Sequence, residues 1–208
     1  MQPIKYLNNW LENHATHERY LFSIYDLSAL FPNLSQSSFK TLLSRAVTAG
    51  HLIRICRGLY SFRKALPSNG LVLFHSAAYL RSDGFNYISL ETVLSDAGVI
   101  SQIPMNWICI MSSMRSNIIS CGKFGTIEFI HTNKRPADIM KHLSYDANCR
   151  LWRADVSLAL QDMKSTHRNC DLIDWDIANE FIDRAVKPRP SGRGCKAQSK
   201  DQYITQQL

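Results

Sequence analysis

Residues 35–62, SQSSFKTLLSRAVTAGHLIRICRGLYSF, decide the fold. Ser35 has a side chain suited to capping a helix, and Gln36 to Ala49 contains neither Gly nor Pro until Gly50 supplies a stop. At about 100° per residue, Phe39, Leu42, Leu43, Ala46 and Ala49 fall on one side of that helix. Ser37, Lys40, Thr41, Ser44, Arg45 and Thr48 fall on the other, a side without a carboxylate. Hydroxyls and cations are the groups that hydrogen-bond phosphates and base edges in a major groove. The competing reading is an ordinary solvated helix face, although such a face usually mixes Glu with Lys.

The residues after Gly50 turn the balance toward a nucleic-acid surface. Leu52-Ile53-Arg54-Ile55 and Leu59-Tyr60-Ser61-Phe62 read as two strands, and Cys56-Arg57-Gly58 reads as their tight connection. Arg54 and Arg57 sit on this ribbon, with Arg63 and Lys64 just past it. Tyr60 either closes the hairpin on the helix as a core residue or touches a sugar from the wing, and the core is favoured.

Working toward the N-terminus, Tyr6, Leu7, Trp10 and Leu11 have helical spacing over residues 5–14. Phe22-Ser23-Ile24 reads as extended, and Asp26 is expected to cap a second helix carrying Leu27, Leu30 and Phe31, stopped by Pro32. Helix, turn, helix and basic hairpin is the order of a winged helix-turn-helix, assigned to residues 1–66. The expected DNA-binding set is Gln36, Ser37, Lys40, Thr41, Ser44 and Arg45 on the helix, with Arg54, Arg57, Arg63 and Lys64 at the ribbon. The helix side chains read bases, and the ribbon cations add affinity through counterion release. One helix reads few base pairs, so two copies or a dimer are expected on the operator.

The charge distribution agrees. Residues 1–64 hold eight Lys/Arg against three acids, residues 65–184 hold eleven against thirteen, and residues 185–208 hold five against one. A near-neutral body is thus flanked by two basic ends. With 45% hydrophobic and 20% charged residues the chain reads as globular, and no apolar run reaches the roughly 18 residues of a membrane span. The first residues lack an uninterrupted apolar stretch and a cleavage site, so a cytoplasmic location is expected.

Working toward the C-terminus, Leu66-Pro67-Ser68-Asn69-Gly70 marks a boundary, and residues 67–186 read as a mixed α/β domain. Helices are expected over 71–81, 89–97, 154–163 and 175–186. A buried strand is expected at Trp107-Ile108-Cys109-Ile110-Met111, and a hairpin pairing Asn117–Ser120 with Thr126–His131. Residues 187–208 read as a basic disordered tail. The chain as a whole is therefore expected to be α+β.

Other chemistries find little support in the residues. The six cysteines form no C-x-x-C pair and read as reduced, and no metal or other cofactor is expected; His14 with His17, and Cys121 with His131, lack further ligands nearby. A metal-dependent nuclease needs paired carboxylates with a nearby lysine, whereas Glu91 and Asp96 lie on one expected helix and Glu128 begins no E-x-K triplet. The chain is expected not to be an enzyme, with a DNA-targeted nuclease as the remote alternative.

Two stretches resemble the AbiEi family of antitoxins and transcriptional regulators from bacterial abortive-infection systems. One is Gly50-His51-Leu52-Ile53-Arg54 with Arg57-Gly58-Leu59-Tyr60; the more specific is Tyr87 to Ile100, YISLETVLSDAGVI. A strand near Ile108, an arginine at Arg115 and Gly125-Thr126-Ile127-Glu128-Phe129 continue the likeness, which spans roughly residues 20–165. The resemblance implies an N-terminal domain that binds double-stranded DNA upstream of its own operon and represses it. It also implies a second domain that antagonises a nucleotidyltransferase-type toxin without a stable complex, as in type IV toxin-antitoxin systems, with Arg115 and Lys123 as candidate residues there. A stand-alone winged-helix regulator is the alternative.

Overall fold

The computed structural model describes residues 2–101 and 106–186 of the 208-residue chain. The basic tail expected over 187–208 lies outside the described residues. Among the described residues no helix is long and apolar enough to cross a membrane.

The N-terminal part runs α1 (Pro3–His14), β1 (Leu21–Ser23), α2 (Ile24–Ser28), α3 (Gln36–Thr48), β2 (Leu52–Cys56) and β3 (Leu59–Phe62). Ser35 caps α3 by accepting from the Ser38 N–H at 3.3 Å, and Phe39, Leu42, Leu43 and Ala46 are buried along one side. Burying each large aliphatic or aromatic side chain there contributes about 1.5–3 kcal/mol, which holds α3 in place more firmly than its own propensity does. Ala49 departs from the expected apolar side: as the C-terminal cap it is exposed, because the helix has already ended.

The second helix corrects the sequence reading in two ways. Its N-cap is Ser23, not Asp26; Asp26 is the third helical residue and accepts a hydrogen bond from the Ser23 N–H at 2.7 Å, completing a capping box. The helix also ends at Ser28, before Leu30 and Phe31, since residues 29 and 30 already form a turn.

β1, β3 and β2 make an antiparallel sheet in that order, with Leu52 opposite Phe62 and Arg54 opposite Tyr60. The register shifts by a bulge between Arg54 and Cys56. Gly58 turns the hairpin at φ 83°, a backbone conformation that side-chain-bearing residues rarely adopt.

The remainder carries α4 (Val72–Leu80), β4 (Asn86–Ile88), α5 (Leu90–Asp96), β5 (Trp107–Ser112), β6 (Asn117–Ser120), β7 (Thr126–His131), α6 (Pro136–Ile139), β8 (Leu143–Asp146), β9 (Leu151–Ala154), α7 (Val156–Ser165) and α8 (Trp175–Val186). The strands form one mixed sheet in the order β6-β7-β5-β4-β9-β8, with β5–β7 and β4–β9 parallel and the other pairs antiparallel. α5 packs against α7 and β5. The architecture is therefore α+β. β5, β6 and β7 match expectation, whereas β4, β8 and β9 lie outside the expected elements. β4 has only three residues, all buried, and so shows no alternation; β8 and β9, of four residues each, do not alternate in burial either.

The two parts share an interior. Buried residues from α1 through α8 form one cluster, and α4 is tied to both sides. Tyr20 OH donates to His75 Nδ1 at 2.7 Å, while His75 Nε2–H donates to the Asn148 carbonyl at 2.6 Å. Tyr79 OH also donates to the Asp26 carboxylate. Residues 67–71 thus link packed bodies and do not act as a free tether.

Candidate nucleic-acid interface

An open groove of about 1360 Å³ runs between α2, α3 and the β2–β3 hairpin, with the end of α4 as its far wall. α3 contributes the row Gln36, Lys40, Ser44 and Thr48, which the helical repeat places one turn apart on a single side. Arg54 and Arg57 line the same groove from the hairpin, and both are exposed. A bulge follows Arg54 in the strand, and Arg57 stands in the turn just beyond it; a bulge twists the strand and re-aims its side chains, so the two cations reach one space.

The expected set divides here. Ser37, Thr41 and Arg45 are exposed on the neighbouring side of α3 but do not line the groove, and the Thr41 hydroxyl already donates to the Ser37 carbonyl at 3.1 Å. Arg63 and Lys64 are also exposed away from it. Lys64 is bonded to Glu12 of α1 at 2.5 Å, and Arg63 lies beside Gly50 at the end of α3. Both are next to the ribbon in sequence, but a short 3-10 turn over Arg63–Ala65 carries them off its surface.

Electrostatically the groove is cationic and uncompensated. Among the described residues no carboxylate forms a salt bridge with Lys40, Arg45, Arg54 or Arg57. Of the described residues lining the groove, only Asp83, on the α4 side, is acidic. Asp26 stands behind the wall: burial raises its carboxyl, but hydrogen bonds from Tyr79 and Ser23 outweigh that and hold it below the ordinary carboxylate range.

Sequence reasoning missed Tyr25. It lines the groove from the first turn of α2 with 81% of its surface exposed. The signal lies in the Ser23-x-x-Asp26 capping pattern, which turns Tyr25 outward at the helix start. Tyr60 has both proposed characters: it is partly buried against the core and also lines the groove.

The second-domain candidates are placed at the two ends of edge strand β6. Arg115 is exposed, and its carbonyl accepts from Arg81 Nη2 at 2.6 Å. Lys123 is exposed in the turn Gly122–Phe124, its ammonium 5.2 Å from the Phe124 ring, and this turn packs against β2. Lys123 thus stands beside the hairpin, an arrangement no local pattern announced.

The carboxylates weighed for nuclease chemistry are neutralised by arginines. Arg168 pairs with Glu91 at 3.4 Å and with Glu128, which also accepts from Trp107 Nε1 at 3.0 Å. Asp96 pairs with Arg153 at 2.6 Å. His14 Nδ1–H donates to the Trp10 carbonyl at 2.8 Å, and the imidazole stacks on the Trp10 ring. Among the described residues no three His, Cys, Asp or Glu side chains gather as metal ligands.

No protein-family model and no curated protein matches the chain. Among solved structures, the RV2827C protein from Mycobacterium tuberculosis has a similar fold, with a TM-score of 0.54 and 14% sequence identity. The similarity covers 91% of this chain and 73% of that one, so it extends over both parts of the molecule.

Proposed function

We propose that residues 1–66 are a winged helix-turn-helix domain that binds double-stranded DNA, and that the chain represses transcription of its own operon. One observation carries the reading: Lys40 and Ser44 of α3 share a groove with Arg54 and Arg57 of the hairpin, and among the described residues these cations hold no carboxylate. A duplex supplies the missing anions. In this reading α3 enters the major groove, its Lys40 row reads base edges, and Arg54 and Arg57 neutralise phosphates. Arg45, on the neighbouring side of the helix, takes a flanking phosphate.

The second half of the proposal rests on the resemblance of residues 87–100 and 125–129 to AbiEi antitoxins. Residues 67–186 antagonise a nucleotidyltransferase-type toxin encoded beside this chain, acting in the cytoplasm without a lasting complex and without catalysis of their own. Arg115 and Lys123, at the exposed ends of β6, are the residues assigned to that task.

Gel shifts with the DNA upstream of the operon test the first half. Lys40→Ala is expected to weaken binding to that DNA more than to unrelated duplex, losing about 1–3 kcal/mol of discrimination. Unchanged binding by Lys40→Ala and Arg57→Ala alike would remove the groove as the DNA surface. Co-expression with the neighbouring toxin tests the second half: growth should be rescued by the wild type and by Lys40→Ala, but not by Arg115→Ala with Lys123→Ala.

A further inference from the structure

Cys56 closes strand β2 beside the turn of the hairpin, and Cys121 follows strand β6 in the other part of the molecule. The turn Gly122–Phe124 just after Cys121 packs against β2, whose last residue is Cys56, so the two thiols flank one contact between the parts. They are nearly removed from solvent, 7% exposed for Cys56 and 0% for Cys121. Cys109 and Cys149 have other neighbours: Cys109 lies against Thr92 and Glu128, and Cys149 against Asp146 and Arg153. The environment is also polarised. Cys121 and, more weakly, Arg54 lower the Cys56 thiol against the opposing effect of burial, whereas contact with Cys56 and burial push the Cys121 thiol up.

We infer that Cys56 and Cys121 form a reversible disulfide on exposure to a peroxide, pinning the hairpin to the second part of the molecule. The Cys56 thiolate attacks the peroxide O–O bond, taking one oxygen as sulfenic acid while the other leaves as water after protonation. Cys121 then attacks the Cys56 sulfur, its thiol proton passing to the departing hydroxide, which leaves as water. In sum two thiols and one hydrogen peroxide give one disulfide and two waters. A dithiol reverses the reaction by exchange.

The consequence for the groove comes from geometry, and this part rests on the proposed DNA binding. Cys56 does not line the groove, while its neighbours Arg54, Arg57 and Gly58 do. Drawing Cys56 to covalent distance of Cys121 pulls the bulged end of β2 away from the groove and withdraws Arg57 from a bound duplex. Affinity should fall, and with it the number of counterions released.

The test uses the full chain, treated with hydrogen peroxide under native conditions, alkylated and digested. The expected result is a peptide cross-linked through Cys56 and Cys121, absent from Cys56→Ala and Cys121→Ala and reversed by dithiothreitol, with Cys109 still alkylated. Oxidised wild type should bind operator DNA about tenfold more weakly at about 0.15 M salt, with the salt slope reduced by about one. Absence of the cross-link in folded wild type, or a mixed adduct in its place, overturns the inference. A cross-link that leaves affinity and slope unchanged overturns the switch. Reduced protein that binds no DNA refutes the DNA-binding reading instead, and the cross-link is read independently of it.

Discussion

Two sets of cations in this chain behave differently. Beyond α4, Lys134 is matched with Asp162, Arg153 with Asp96 and Asp146, and Arg168 with Glu91 and Glu128, all three cations being half-buried. On α3 and the hairpin, Lys40, Arg45, Arg54 and Arg57 are exposed and, among the described residues, hold no carboxylate. A matched, desolvated cation is bound into the fold and has little charge left for a partner. An unmatched, solvated one contributes little to stability and keeps its charge for a polyanion. Number of cations is therefore a poorer guide to binding than their pairing.

The comparison can be broken most severely at Lys134. Asp162 is 0% exposed and is held by Lys134 Nζ at 2.5 Å and Ser89 Oγ at 2.6 Å. Lys134→Met leaves that carboxylate buried without its cation and should cost about 3–5 kcal/mol in urea unfolding. DNA affinity of the protein that remains folded should be unchanged; a loss of affinity at preserved stability would show that the two classes of cation are not distinct.

Arg54→Ala with Arg57→Ala is the converse. Stability should stay within about 0.5 kcal/mol of wild type, while DNA affinity falls about a hundredfold at about 0.15 M salt and the salt slope drops by about two. Retained affinity would mean that the groove cations, though unmatched, are idle.

A smaller effect sharpens the boundary between the halves. Asp26 accepts from the Ser23 N–H and hydroxyl, both at 2.7 Å, and from Tyr79 of α4. Its folded pKa is lowered relative to about 3.9 in the unfolded chain, so its contribution is present above that value and is lost as pH falls through the folded one. Asp26→Asn should cost about 1 kcal/mol at neutral pH and flatten the decline in stability below about pH 4. An equally steep decline in the variant would place the acid sensitivity elsewhere.

Much of the fold was legible because its signals are local. The Ser35 cap, the Phe39-Leu42-Leu43-Ala46 side, the hairpin around Gly58 and the β6–β7 pair lie within a few residues of the patterns that announce them. Failures came where elements are short or the governing contact is distant. β4 is too brief to show a period, and Ser23 outcompetes Asp26 as cap because both ends of a reciprocal bond are available to it.

Sequence alone determined which side of α3 lacks carboxylates and that a basic ribbon comes after it, since helical and strand repeats depend on covalent geometry and on burial of nearby apolar residues. Tertiary structure decided which of those cations share a groove, that Lys64 is spent on Glu12, and that Cys121 and the turn carrying Lys123 come to rest against β2. Such meetings join segments far apart in the chain, and they are set by how whole elements pack, which no local periodicity encodes.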